Sequence, residues 1–317
     1  MGPAFGLRGK VGIAIRLVNI LYMACIGKDI TVADFIKRNS TSDNAVRLVD
    51  HLTKFSLGVP AEYASMVDII HSFITQSFGR EGFLYHGNRS LINALENSII
   101  KNGGIISLST QITKIRIDGG TAISLTTSDG TEVNSDVVIL NSGLTTTLKL
   151  LGDWLPEELR KRATQFIPAY GVAYSIRSRQ RLLHHSSIEI PVDLDEISGI
   201  VPVSEICPAL CPPDWHYALA YQYLSPSRSI EDQLNHANVE LRYYLGEEID
   251  IFNTAIYKDT HPAAYISQSI GQCGKNRWPY CIPSLNNVYF VGHDVCGHGI
   301  AAEIIGDSCL HTWRKLV

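Results

Sequence analysis

The stretch from Val288 to Trp313 narrows the choice of folds more than any other part of this chain. Val288–Val291 is a short, continuously apolar run, residues 292–299 form a glycine-rich turn, and residues 300–313 have helical character. Strand, glycine turn and helix in that order suit an anion or a dinucleotide, because bare backbone and the free N–H groups of a helix start face the ligand. Gly297-His298-Gly299-Ile300-Ala301-Ala302 fits the G-x-G-x-x-A form of the dinucleotide fingerprint. A full nucleotide-binding unit also needs a second strand and an acidic residue about 20 positions on; neither follows before Val317. The local physics survives without that label. Gly297 and Gly299 would admit a ligand against backbone, the N–H groups of Gly299, Ile300 and Ala301 would present a positive dipole, and Asp294 offers a carboxylate to sugar-type hydroxyls. A tight turn using glycine for steric reasons explains the same residues.

The remaining chain is read by its periodicities. Residues 11–80 carry helical spacing, with Val46, Val49, Leu52 and Phe55 after a polar break and then Met66, Ile69, Ile70 and Phe73. Residues 89–102 form the next helix, with Leu91, Leu95 and Ile99 on one face, Asn88 or Ser90 as N-cap and Gly103-Gly104 as the stop. Ile106 and Leu108, Ile115 and Ile117, and Ile123 and Leu125 read as short half-buried strands, and Asp129-Gly130 as a hairpin turn. Val137–Leu140 is continuously apolar, as expected of a strand covered on both faces in a parallel sheet, and ends in Asn141-Ser142-Gly143. Residues 151–270 mix both types, with an aromatic strand at 217–224 and a polar helix within 227–248.

Composition excludes little but usefully. With 317 residues, 45% of them hydrophobic, the chain is long enough for two domains. A net charge of -4, with 27 Lys and Arg scattered along the chain, leaves no basic run to track phosphates, so no nucleic acid partner is expected. Seven cysteines, an odd number in a chain of this size, fit a reducing cytoplasm, and no Cys or His spacing suggests a metal. Val11–Gly27 is mostly apolar but is interrupted by Arg16 and is short for a span; with Arg8, Lys10 and Arg16 it would suit peripheral contact with an anionic membrane.

Several segments, taken in order, resemble one family. VYFVGHDVCGHGIAAEIIGDSCLHTW (288–313) looks like the closing flavin motif of the flavin amine-oxidase superfamily, and YHGNRSLINALENSIIKNGGIISLSTQITKI (85–115) resembles its glycine, helix, Gly-Gly, strand segment. ICPALCPPDWH (206–216), and Thr260-His261-Pro262 leading to Gly271-Gln272-Cys273-Gly274, are similar to the phytoene desaturase and carotenoid isomerase branch. The resemblance spans about residues 28 to 317. It implies an α/β fold in which a partial, Rossmann-like FAD-binding domain is interrupted by a substrate domain of mixed sheet and helices. The corresponding division is 1–84 and 151–270 for the substrate domain, 85–150 and 271–317 for the FAD domain. It also implies noncovalent FAD and a long apolar polyene or isoprenoid substrate, with amine oxidase or protoporphyrinogen-oxidase-like chemistry as the alternative. Carried over, Ile112 would touch the adenine through its backbone; Gly292, Asp294, Gly299, Ile300 and Ala301 would hold the pyrophosphate, ribityl chain and flavin edge; Gly271 and Gly274 would lie near the isoalloxazine face. No catalytic residue is implied.

Two departures qualify this. His293 stands where the family places an acidic or small residue, with Asp294 one place later. Family members begin with a strand and a G-x-G-x-x-G turn for the ADP moiety, and nothing before Tyr85 resembles it. About half a cofactor site is therefore expected in this chain; the ADP half would come from an upstream segment or a separate chain, or the site is a remnant. Cys273 has the outline of a flavin-linking cysteine, against which stands the commoner buried, inert thiol.

Overall fold

The computed structural model describes residues 29–38, 43–71, 82–297, 299 and 302–317. The membrane-contact expectation for Val11–Gly27 and the site residues Ile300 and Ala301 fall outside them. The fold is mixed α/β, with three sheets among the described residues. Among the described residues, no helix is long and apolar enough to cross a membrane.

The described residues open with helix α1 (Val32–Lys37), capped by the Thr31 hydroxyl, and α2 (Asp43–Leu57). Residues 66–71 are helical too, as their apolar spacing predicts. Val32, Leu57, Val59, Met66 and Ile70 close a small core between these pieces. Helix α3 (Asn88–Lys101) matches the expected span, but Gly87, at φ 69°, is its N-cap; neither Asn88 nor Ser90 is. A three-stranded meander follows: β1 (Ile112–Asp118), β2 (Thr121–Thr127) and β3 (Glu132–Asn134), all antiparallel. The Asp129-Gly130 turn sits where its left-handed glycine requires, at φ 86°. Strand β4 (Val138–Leu140) leads into α4 (Gly143–Leu151), and α5 (Glu157–Ala163) follows.

Next comes an antiparallel sheet of four strands: β5 (Gly171–Ser178), β6 (Ile197–Val201), β7 (His216–Tyr223) and β8 (Asp250–Tyr257), in the order β6-β7-β5-β8. Short helix α6 (Val203–Ile206) precedes β7, and α7 (Ile230–Leu245), capped by Ser229, follows it. On strands the side chains alternate between faces. Val172, Tyr174 and Ile176 of β5 and Ala218 and Ala220 of β7 accordingly form one core with Leu241 of α7. The chain ends with β9 (Val288–Phe290) and α8 (Ala302–Leu316).

Strand β9 pairs in parallel with β4, Val138 opposite Val288 and Leu140 opposite Phe290, so segments 150 positions apart in sequence meet in one two-stranded sheet. The Asn287 side chain fastens this pair to the meander: its Oδ1 accepts from Ala122 N–H at 2.7 Å and its Nδ2 donates to the Ala122 and Asp136 carbonyls.

Two expectations fail together. Ile106 and Leu108 are not in a strand; residues 104–110 run as turn and coil, with Leu108 80% exposed. Nor is β4 covered on both faces, because Ile139 is 49% exposed. A strand needs a neighbour to satisfy its backbone, and among the described residues nothing pairs with 105–108 or with the free edge of β4.

Candidate functional site

Strands β4 and β9 run the same way, so their carboxyl ends open side by side. In open α/β sheets ligands bind in the crevice outside those ends. A cavity of about 320 Å³ lies there, lined by Asn141, Ser142 and Gly143 after β4 and by Gly292, His293 and Asp294 after β9. Pro262–Tyr265 and Trp278 also line it. Gly143 (φ 72°) and Gly292 (φ 123°) both hold left-handed backbone. A side chain at Gly143 would meet the Tyr265 ring, and one at Gly292 would meet the Asn141 amide. Glycine at these two positions therefore lets Tyr265 and Asn141 pack directly on the backbone of the crevice rim. Helix α4 starts on the cavity wall, and its cap residue Ser142 makes no side-chain capping bond, so the N–H groups of the first turn are available.

Behind the crevice lies a buried polar network. The Arg277 guanidinium, 1% exposed, donates to three carbonyls: Ile266 at 2.8 Å, His293 at 2.6 Å and Gln272 at 3.3 Å. It ties the 266–272 segment to the glycine turn. Burial pulls its pKa down, while the nearby Asp294 and Asp68 carboxylates push it back. The Asp294 carboxylate accepts from the Ile266 N–H at 3.1 Å. Gln268 bridges the helical residues 66–71 to the turn, donating to Asp68 Oδ2 at 3.2 Å and to the Gly299 carbonyl at 2.7 Å. Burial raises the Asp68 carboxyl, opposed by hydrogen bonds from Cys273 and Gln268.

The crevice brings Gly292 and Asp294 together, whereas Gly299 does not line it and gives its carbonyl to Gln268. Ile112, at the start of β1 opposite Thr127, and Gly271 and Gly274, in the 269–276 loop, do not line it. Burial, then the Asp68 charge, pushes the Cys273 thiol far up, and its Sγ donates to the Ser269 carbonyl at 3.1 Å, so it is a protonated thiol and a poor nucleophile. Asn141, Ser142, Gly143, Pro262–Tyr265, Trp278 and Arg277 were not singled out as site residues from sequence. Asn141-Ser142-Gly143 carried a signal, small and polar residues right after a buried-strand run; a lone loop arginine carries none.

The profile of the flavin containing amine oxidoreductases matches residues 16–304. The chain belongs to this family. An uncharacterized protein of Methanocaldococcus jannaschii is 23% identical over 256 residues, 80% of this chain and 61% of that protein, so the chain spans about three fifths of this relative. An oxidoreductase from Methanosarcina mazei has the same fold, with TM-score 0.85 and 20% identity over 98% of this chain and 73% of the other. Putrescine oxidase bound to putrescine gives TM-score 0.71 at 11% identity, over 100% of this chain and 77% of the other.

The crevice residues fit one end of a flavin dinucleotide. Ligand cavities run from roughly 300 to 1,000 Å³, so about 320 Å³ suits part of FAD. Gly143 and Gly292 lie on its rim, where a planar ring or a pyrophosphate would meet little side-chain bulk from these two positions. The buried Trp278 Nε1, on a lining residue, is a donor without a partner.

Proposed function

We propose that the chain is part of an FAD-dependent oxidoreductase, a dehydrogenase, desaturase or isomerase, acting on an apolar polyene or isoprenoid. One observation carries the substrate class. A second cavity, of about 520 Å³, lies on the face of the four-stranded sheet away from α7 and shares Pro262 and Ala263 with the strand-end crevice. Its floor is Gly171, Ala173 and Ser175 of β5; Tyr221 and Tyr223 of β7, Tyr257 of β8 and Phe55 of α2 form walls. Burial raises the Tyr221 and Tyr223 phenols, so both are neutral at physiological pH. Among the described lining residues only Lys54 is charged, and it is bound to Asp50 at 2.7 Å. An amine substrate carries a cation, which this lining would meet with another cation and no carboxylate. That favours an uncharged hydrocarbon over an amine.

When bound, FAD supplies the two-electron acceptor chemistry. This chain's own residues do the rest: Gly143 and Gly292 admit the group, Arg277 and Asp294 fix the turn that borders it, and the tyrosine walls orient the substrate and exclude water. The edge of β4 and the apolar face of α3, left uncovered among the described residues, support a further feature of this reading, that the ADP half is contributed by polypeptide beyond these residues, with a separate chain as one source. The test uses a chain completed with an ADP-binding strand–turn–helix segment and loaded with FAD. An apolar polyene should bind, and under anaerobic conditions a saturated precursor should bleach the yellow absorbance, while putrescine should do neither. Bleaching by putrescine alone would place the protein among amine oxidases.

A further inference from the structure

A third cavity, of about 530 Å³, lies between α1, α2 and the loops around 195 and 225. Lys54 and Tyr223 line both it and the sheet-face cavity. Three cavities thus follow one another: the strand-end crevice, the aromatic sheet face across Pro262 and Ala263, and this third space across Lys54 and Tyr223.

The character changes sharply along that series. The third cavity is lined by four basic residues, Lys37, Arg47, Lys54 and Arg228, and four acidic ones, Asp50, Glu62, Asp195 and Glu196. Six of the eight are paired: Lys54 with Asp50 at 2.7 Å, Arg47 with Asp195 at 3.0 Å, and Arg228 with Glu196 at 2.6 Å. Such a lining repels a hydrocarbon, because the charged groups would lose water without replacement. An anionic or cationic group would meet as many like charges as opposite ones. A hydroxyl suits it, since one oxygen donates to a carboxylate and accepts from a cation.

We infer that the substrate is an amphiphile, an apolar isoprenoid chain lying on the sheet face with an uncharged, hydroxyl-bearing head seated among Lys37, Arg47, Asp50 and Glu62. This rests on the sheet face being the substrate site, and it separates a headed isoprenoid from a symmetric hydrocarbon.

The test needs no flavin. All-trans-retinol, whose fluorescence rises in an apolar site, is titrated into the 317-residue chain, and squalene and retinoic acid serve as headless and anionic comparisons. Ala33, on α1, lines only the third cavity, whereas Ala173 lies on the sheet-face floor. Ala33→Phe should weaken retinol about tenfold, equivalent to ~1.4 kcal/mol, and leave squalene displacement unchanged; Ala173→Leu should weaken both. Wild type should prefer retinol to retinoic acid. Melting curves establish that each variant is folded, and Lys37→Phe fills the same cavity from an exposed position should Ala33→Phe melt early. Unchanged retinol binding in a folded Ala33→Phe or Lys37→Phe variant, or a preference for retinoic acid, overturns the amphiphile. Unchanged binding of both probes in Ala173→Leu overturns the sheet face itself, and with it the substrate reading above.

Discussion

Helices α3 and α7 are close in length and both amphipathic, yet they stand in opposite circumstances. Helix α7 starts from a Ser229 cap whose hydroxyl accepts from the Asp232 N–H, and it buries Gln233, Ala237 and Leu241 against the four-stranded sheet. Helix α3 has no side-chain cap and no buried residue; Leu91, Leu95 and Ile100 are each more than half exposed. The sheets differ in the same sense. The four-stranded sheet carries one face on α7 and a cavity on the other, whereas β4 and β9 are a parallel pair of three residues each. Parallel sheets are ordinarily covered on both faces. Among the described residues, the four-stranded sheet packs firmly on α7, whereas α3 and the β4–β9 pair leave apolar side chains such as Leu95 and Ile139 exposed.

That contrast can be broken by mutation. Leu241 is fully buried, so Leu241→Ala should cost about 2–5 kcal/mol in urea unfolding. Leu95→Ala, at a residue 58% exposed, should stay within about 0.5 kcal/mol. Equal losses at the two sites would mean that α3 packs as firmly as α7.

A smaller effect sharpens it. Ser229→Ala removes the cap of α7 and should cost about 1 kcal/mol, read as a lower Tm; no comparable loss is available at α3, where Gly87 makes no side-chain bond. An unchanged Tm would show that α7 is held by packing alone.

The smallest expected effect lies where the two sides join. Asp68 links residues 66–71 to the glycine turn, and burial raises its carboxyl above the ordinary value of 3.8. A raised carboxyl binds its proton more tightly in the folded state, so stability falls as pH rises from near 3.8 through the folded value and stays lower above it. Asp68→Asn should therefore raise Tm at neutral pH and leave it nearly unchanged at acid pH. A larger gain at acid than at neutral pH would reverse that sign.

Much of the fold was legible because its signals are local. The apolar runs at 137–140 and 288–291, the Asp129-Gly130 turn and the Gly103-Gly104 stop each depend on a few neighbouring residues. What failed was what depends on a distant partner. Ile106 and Leu108 have strand character but no strand beside them among the described residues, and the spacing of Leu91, Leu95 and Ile99 marks an apolar face without saying whether anything covers it. The crevice was partly legible: Gly292 and Asp294 were candidates, but Gly297 and Gly299 do not line it, Gly143 was not singled out, and Arg277 is one arginine in a loop that gains meaning only from the three carbonyls it gathers. The sheet-face cavity arises from small residues on β5 beside tyrosines on β7 and β8. No single stretch of sequence contains that pattern.

The proposed flavin site is tested most directly by hydrogen exchange of the 317-residue chain with and without saturating FAD, repeated on Gly292→Val. At φ 123° valine is strained, and its side chain would meet Asn141 across the crevice. FAD should slow exchange in peptides covering 140–144 and 291–297 of the wild type, and Gly292→Val should abolish that protection while β5–β8 exchange as before. Protection confined to other peptides, or undiminished in a folded Gly292→Val, would contradict the placement of the flavin at the ends of β4 and β9.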